Sequence, residues 1–169
     1  SDIDRSPTPY ATLPPSFIVF SGGGWHYYWL LDEWCTDLGV IEDANKALME
    51  DTDGDSCWNA NRLLRVPDTT NTKYGTTCEL RQAWPGRTYT LADVKAIGRL
   101  DGKARHKIRT GDSRGYKSRS ERDWAIVESL VIAGASDTLV RHLFLTQPCG
   151  DKFRDPKISG EKYLAHTLE

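Results

Sequence analysis

Ser21-Gly22-Gly23-Gly24-Trp25-His26 lies between two apolar runs and reads as a tight turn between strands. Glycines at such a turn let backbone N–H groups approach an anion closely, and a histidine projects from the strand that follows. The combination suits the phosphates of a nucleotide. A plain hairpin turn with an incidental histidine is the competing reading of the same residues.

Carboxylates form the second group. Asp2 and Asp4 stand at i and i+2, so on an extended strand both face the same way and can share divalent cations. Asp51, Asp53 and Asp55 are expected to gather in an acidic loop over Glu50–Asp55. This spacing also opens a calcium loop, but Arg62 stands where an EF-hand needs its bidentate glutamate. An exposed acidic turn is the simpler alternative.

The third group is Arg62, Arg65, Asn71 and Lys73, on an expected strand Asn61–Val66 that ends at Pro67 and runs into a polar loop. Alternation along a strand puts the two arginines on opposite faces, so one can serve a structural ion pair. The other, with Asn71 and Lys73, can hold phosphates or a template backbone.

The elements that must position these residues follow from pattern. Ser16–Phe20 and Trp25–Leu31 predict a hairpin around the glycine turn, and Val40–Met49 has helical spacing. Thr76–Trp84 reads as a further strand, and Thr90 with Asp93 as a capping box for a short helix through Ile97. Asp101–Ser118 carries three glycines and many charges and reads as a linker. Past it, Ser120 and Asp123 signal a helix start, with Trp124, Val127 and Val131 on its apolar face. Gly134 ends that helix. Ser136 caps the next, whose stripe is Leu139, Val140, Leu143 and Phe144, and Tyr163, Leu164 and Leu168 indicate a last short helix. The expected organisation is an α+β unit over 1–97, a basic linker over 98–119 and a small helical bundle over 120–169.

Composition is that of a globular chain: 169 residues, 38% hydrophobic and 27% charged. No apolar run approaches the roughly 20 residues of a membrane span, so a cytoplasmic location with no membrane partner is expected. Cys35, Cys57, Cys78 and Cys149 form no CxxC pair, which argues against a zinc ribbon and for reduced thiols. Between Ile97 and Asp123 stand nine Lys or Arg against four Asp or Glu, in a chain of net charge −2. Positive charge is thus concentrated where a phosphate backbone could be met, and Lys103, Arg105, Lys107 and Arg109 are the candidate nucleic-acid contacts. A merely solvated tether is the alternative.

Two stretches carry a family resemblance. PSFIVFSGGGWHYYWLL and GDSCWNANRLLRVPDTTNTKYG resemble, in that order, the SGGGxH motif and the GDxCxNxxRxxRxPGTxNxK signature of archaeo-eukaryotic primase-polymerases encoded by phages, plasmids and other mobile elements. The tail SRSERDWAIVESLVIAGAS resembles the helical module that follows such domains. Asp68 departs from the pattern, standing where the family usually has Gly. The stretch between Asp4 and Ser21 is also short for the family.

The resemblance implies an RRM-like antiparallel sheet with flanking helices. It implies that Asp2, Asp4 and Asp55 bind two Mg²⁺ or Mn²⁺ ions, and that Ser21 and His26 contact the phosphates of an incoming dNTP or NTP. Asn59, Arg62, Arg65, Asn71 and Lys73 would border that site. A single-stranded DNA template, a preceding N-terminal segment and a replicative helicase are the implied partners. The activity would be template-directed nucleotidyl transfer, the metals stabilising charge on the attacking and leaving oxygens. Two other readings use the same residues: a non-catalytic fragment that binds single-stranded template, and a metal-dependent nuclease, which leaves the SGGGxH turn without a role.

Overall fold

A computed structural model describes residues 11–168. Along the chain come β1 (Phe17–Phe20), β2 (Trp25–Tyr28), β3 (Leu30–Leu31), α1 (Leu38–Thr52), β4 (Thr70–Asn71), β5 (Thr76–Thr77), β6 (Glu79–Ala83) and β7 (Thr88–Tyr89). Helices α2 (Leu91–Arg99), α3 (Gly102–Thr110), α4 (Arg119–Ala133), α5 (Asp137–Thr146) and α6 (Gly160–Leu168) follow, with a 3₁₀ turn at Pro148–Asp151. The class is α+β.

The expected hairpin forms. β1 and β2 pair antiparallel, with Phe20 opposite Trp25 and Val19 opposite His26, because aromatic and β-branched side chains suit a pleated surface. β6 pairs with the other edge of β1, giving the order β2-β1-β6, with a register shift between Ile18 and Val19. The single strand expected over Thr76–Trp84 is broken at Cys78. β5 pairs with β4 and β6 with β1, so the two halves serve different sheets.

Beside this sheet lies a helical core. One cluster of buried side chains includes Ala44 and Leu48 of α1, Val94 and Ile97 of α2, Ala104 and Ile108 of α3, Leu130 of α4, Leu143 of α5 and Leu164 of α6. Trp29 packs against it and donates through Nε1 to Leu13 O at 2.8 Å, tying the strand layer to the helices. The N-termini of α2 and α5 also interlock. Thr90 caps α2 by accepting from Asp93 N, and the Asp93 carboxylate accepts from Ser136 N at 2.9 Å and Ser136 Oγ at 3.1 Å.

Several expectations are corrected. The segment read as a linker contains helix α3. Its glycines are punctuation: Gly102 opens the helix behind the Asp101 cap, and Gly111 closes it at φ 67°. Ala104 and Ile108, one turn apart, bury into the core. Asn61–Val66 forms no strand and is exposed, Leu63 at 96%, because arginines on both faces leave neither one apolar.

α4 is capped by Ser118, which accepts from Glu121 N, and its buried face is Ile126, Val127, Leu130 and Ala133. Trp124 and Val131 are more than half exposed. The register is set by Arg122 and Asp123. These form a buried ion pair, with Arg122 Nη2 also donating to Asp151 and to Cys149 O, and Tyr163 OH donating to Asp123 Oδ2 at 2.9 Å. Asp123 is therefore a core anion and not a cap. All four cysteines are free thiols, Cys78 and Cys149 buried. Among the described residues no helix is long and apolar enough to cross a membrane.

Candidate functional site

The glycine turn closes on itself through Ser21, whose N and Oγ both donate to Gly24 O, at 2.8 and 2.9 Å. Ser21 is buried, so its hydroxyl shapes the turn instead of standing open for a phosphate. The β4–β5 hairpin packs onto the outside of the turn. Asn71 Nδ2 donates to Ser21 O at 2.9 Å, and Thr76 Oγ1 donates to Gly22 O. Gly22 sits at φ 84°, where a Cβ would lie 2.5 Å from Thr76 Oγ1 and 2.8 Å from Asn71 Cβ, so glycine is required on both backbone and steric grounds. Among the described residues the N–H groups of Gly22, Gly23 and Gly24 donate to nothing in the protein. Two segments separated by about fifty residues of sequence thus form one unit, in which Gly22 is buried under the hairpin, Gly24 is partly exposed and Gly23 is exposed.

The hairpin is itself well determined. Asp68 N donates to Cys78 O and Cys78 N to Thr69 O, both at 2.8 Å, and Gly75 N donates to Asn71 O at 2.8 Å. Asn71 Oδ1 accepts from Lys73 N at 3.2 Å, while the Lys73 side chain is exposed with Nζ 5.0 Å from the Tyr74 ring centroid. Asp68 adopts φ 66°, the left-handed region that glycine occupies without cost. The backbone there keeps a glycine-like shape although the residue is aspartate.

His26 is half-buried on β2, its ring 6.5 Å from that of Tyr28. Its Nδ1 is buried without a hydrogen-bond partner. Burial, and secondarily the charge of Arg65, hold its pKa below 6.5, so at neutral pH the ring is an uncharged hydrogen-bonding group. Arg65 is exposed, and its carbonyl accepts from Cys78 Sγ at 3.9 Å. His26, Arg65, Asn71, Lys73 and the glycine turn therefore form one neighbourhood joined through Cys78 and Ser21.

Other expected site residues lie elsewhere. Arg62 turns back on its own loop, Nη2 donating to Cys57 Sγ at 3.0 Å, and Asn59 O accepts from Arg62 N at 3.2 Å. That loop is held by α1, since Asn45 Nδ2 donates to Trp58 O and Glu42 accepts from Ala60 N, both at 3.1 Å. The acidic loop is shorter than expected. Asp51 belongs to α1, is buried, and accepts from Thr12 N at 2.7 Å and Leu13 N at 3.4 Å; burial pushes its pKa up. Asp53 is the left-handed C-cap of α1. Asp53 and Asp55 both remain exposed carboxylates, neither with a side-chain hydrogen bond to a described residue. Asp2 and Asp4 lie outside the described residues. Among the described residues no three His, Cys, Asp or Glu side chains group in a way that could hold a metal ion.

The four basic residues of α3 are partly engaged in the fold. Arg105 Nη2 donates to Gly98 O at 2.9 Å, Arg109 Nη1 to Asp51 O at 3.0 Å, and Lys107 Nζ to Tyr116 OH, over whose ring it sits at 4.6 Å. Lys103 is exposed.

Sequence reasoning missed Tyr74 and Thr76, which contact the glycine turn. The available signal was Thr70-Asn-Thr-Lys-Tyr-Gly75-Thr-Thr77, where β-branched residues flank a glycine-containing turn. No protein-family model, no curated protein and no solved structure matches this chain.

Proposed function

We propose that the chain is part of a DNA primase-polymerase of the archaeo-eukaryotic type and that its glycine turn binds the triphosphate of an incoming dNTP or NTP. The observation that carries this reading is the union of the turn with the Asn71–Lys73 hairpin, which sets undonated backbone N–H groups beside a lysine. Such donors are worth most where they are held in place before the ligand arrives. The amides of Gly23 and Gly24 donate to phosphate oxygens, Gly22 letting the hairpin close on the turn, while Lys73 and Arg65 supply positive charge and neutral His26 orients the phosphates by hydrogen bonding. Ser21 maintains the turn.

Asp2, Asp4 and Asp55 are the residues that would hold Mg²⁺ or Mn²⁺, whose chemistry there is to neutralise the triphosphate and activate the primer 3′-hydroxyl. The three-stranded sheet β2-β1-β6 is, on this reading, the part of an RRM-like sheet that presents the site. A single-stranded DNA template is the partner.

The test is incubation with primed single-stranded DNA, labelled nucleotides and Mn²⁺. Strand extension is expected, and Asp55→Ala should abolish it without changing the melting temperature. Template degradation would mean a nuclease, and binding without extension a template-handling module.

A further inference from the structure

We infer that Tyr74 contacts the nucleoside part of the bound triphosphate. This rests on the nucleotide-binding reading above and assigns a residue that the motif comparison does not include.

The Tyr74 ring lies directly against Gly23. A Cβ at Gly23 would stand 2.2 Å from Cε2 and 2.6 Å from Cδ2 of the ring, so the close approach depends on glycine. Yet Tyr74 is 53% exposed, and its hydroxyl makes no hydrogen bond to a described residue. A large ring in this position contributes little to a core. Its place is nonetheless determined, because Tyr74 N donates to Asn71 O at 3.1 Å and the Asn71 side chain is anchored on Ser21. The Lys73 ammonium lies 5.0 Å from the ring centroid. Cation, ring and the undonated glycine amides therefore occupy one small surface.

Phosphates held by the amides and Lys73 leave the next part of the ligand, the sugar and base, beside the ring. Base–aromatic stacking tolerates any base, so the contact would select nucleotides over bare polyphosphate without selecting among them.

The experiment is calorimetric titration of the full chain with a nucleoside triphosphate and, separately, with inorganic tripolyphosphate. Tyr74→Ala should weaken nucleoside triphosphate binding about tenfold and leave tripolyphosphate unchanged, which also shows the variant is folded. Tyr74→Phe should bind like the parent, and Lys73→Ala should weaken both ligands. Equal weakening of both by Tyr74→Ala, or no weakening, overturns the inference and leaves the phosphate site standing. A parent chain that binds neither ligand overturns the nucleotide-binding reading and this assignment with it.

Discussion

The side-chain amide of Asn71 donates to the carbonyl of Ser21 at 2.9 Å, a buried bond across 50 positions of sequence. It joins the two stretches that carry the candidate site. Because Asn71 Oδ1 also accepts from Lys73 N, one side chain sets the glycine turn and the lysine relative to each other.

Asn71→Ala leaves a buried carbonyl without its donor, which costs about 1–3 kcal/mol. The same variant should lose triphosphate affinity, since Lys73 is no longer registered against the turn. Urea unfolding measures the first effect and calorimetry the second. A stable variant with unchanged affinity would show that the bond does not organise the site.

Asp68 offers a backbone test. A non-glycine residue at φ 66° carries a strain of about 1 kcal/mol, reduced for Asp, and glycine removes it while adding unfolded-state entropy. Asp68→Gly should therefore leave stability unchanged or raise it by up to about 1 kcal/mol, whereas β-branched Asp68→Val should lower it by more than about 1 kcal/mol. Thermal melting separates them. A harmless Asp68→Val would mean that the left-handed conformation is not held.

The depressed pKa of His26 sets a pH dependence. The folded chain binds fewer protons at this group than the unfolded chain, so stability falls as pH drops through 6.5 toward the folded value. Between about pH 7.5 and about pH 5 the parent should lose more stability than His26→Gln. A drop remains in the variant because burial also depresses His142. Identical losses in parent and variant would show that His26 titrates as an ordinary histidine.

The basic residues of α3 divide by their partners. Arg105→Ala and Arg109→Ala each remove a donor to a backbone carbonyl and should cost about 1 kcal/mol, while Lys103→Ala should change stability by less than about 0.5 kcal/mol. If Lys103 meets a template phosphate, its loss makes the salt slope of single-stranded DNA binding shallower by about 0.7. An unchanged slope assigns Lys103 to solvent.

Features written in short stretches of chain were legible in the sequence. The β1–β2 hairpin follows from aromatic and β-branched runs around consecutive glycines, and α2 and α5 from Thr90 and Ser136 caps that accept from N–H groups three residues on. These signals are local because a turn or cap is satisfied by near neighbours. The grouping of Arg65, Asn71 and Lys73 beside the glycine turn was anticipated only as a motif.

What tertiary structure decided were the partners. Asp51 reads as one more acid of a loop until Thr12 N and Leu13 N meet its carboxylate. Asp123 reads as part of a helix-start signal, and Arg122 as one more charge of a basic stretch, until Asp151 and Tyr163, from distant segments, surround them. Helix α3 reads as a charged tether because only Ala104 and Ile108 are small or apolar on its inner face, and their burial depends on the helices packed around them. Tyr74 has a role at the turn only because the β4–β5 hairpin folds back onto Gly22 and Gly23. In each case the partners are remote in the chain, and for the buried charges it is those partners' hydrogen bonds that offset the cost of desolvation, which no local pattern records.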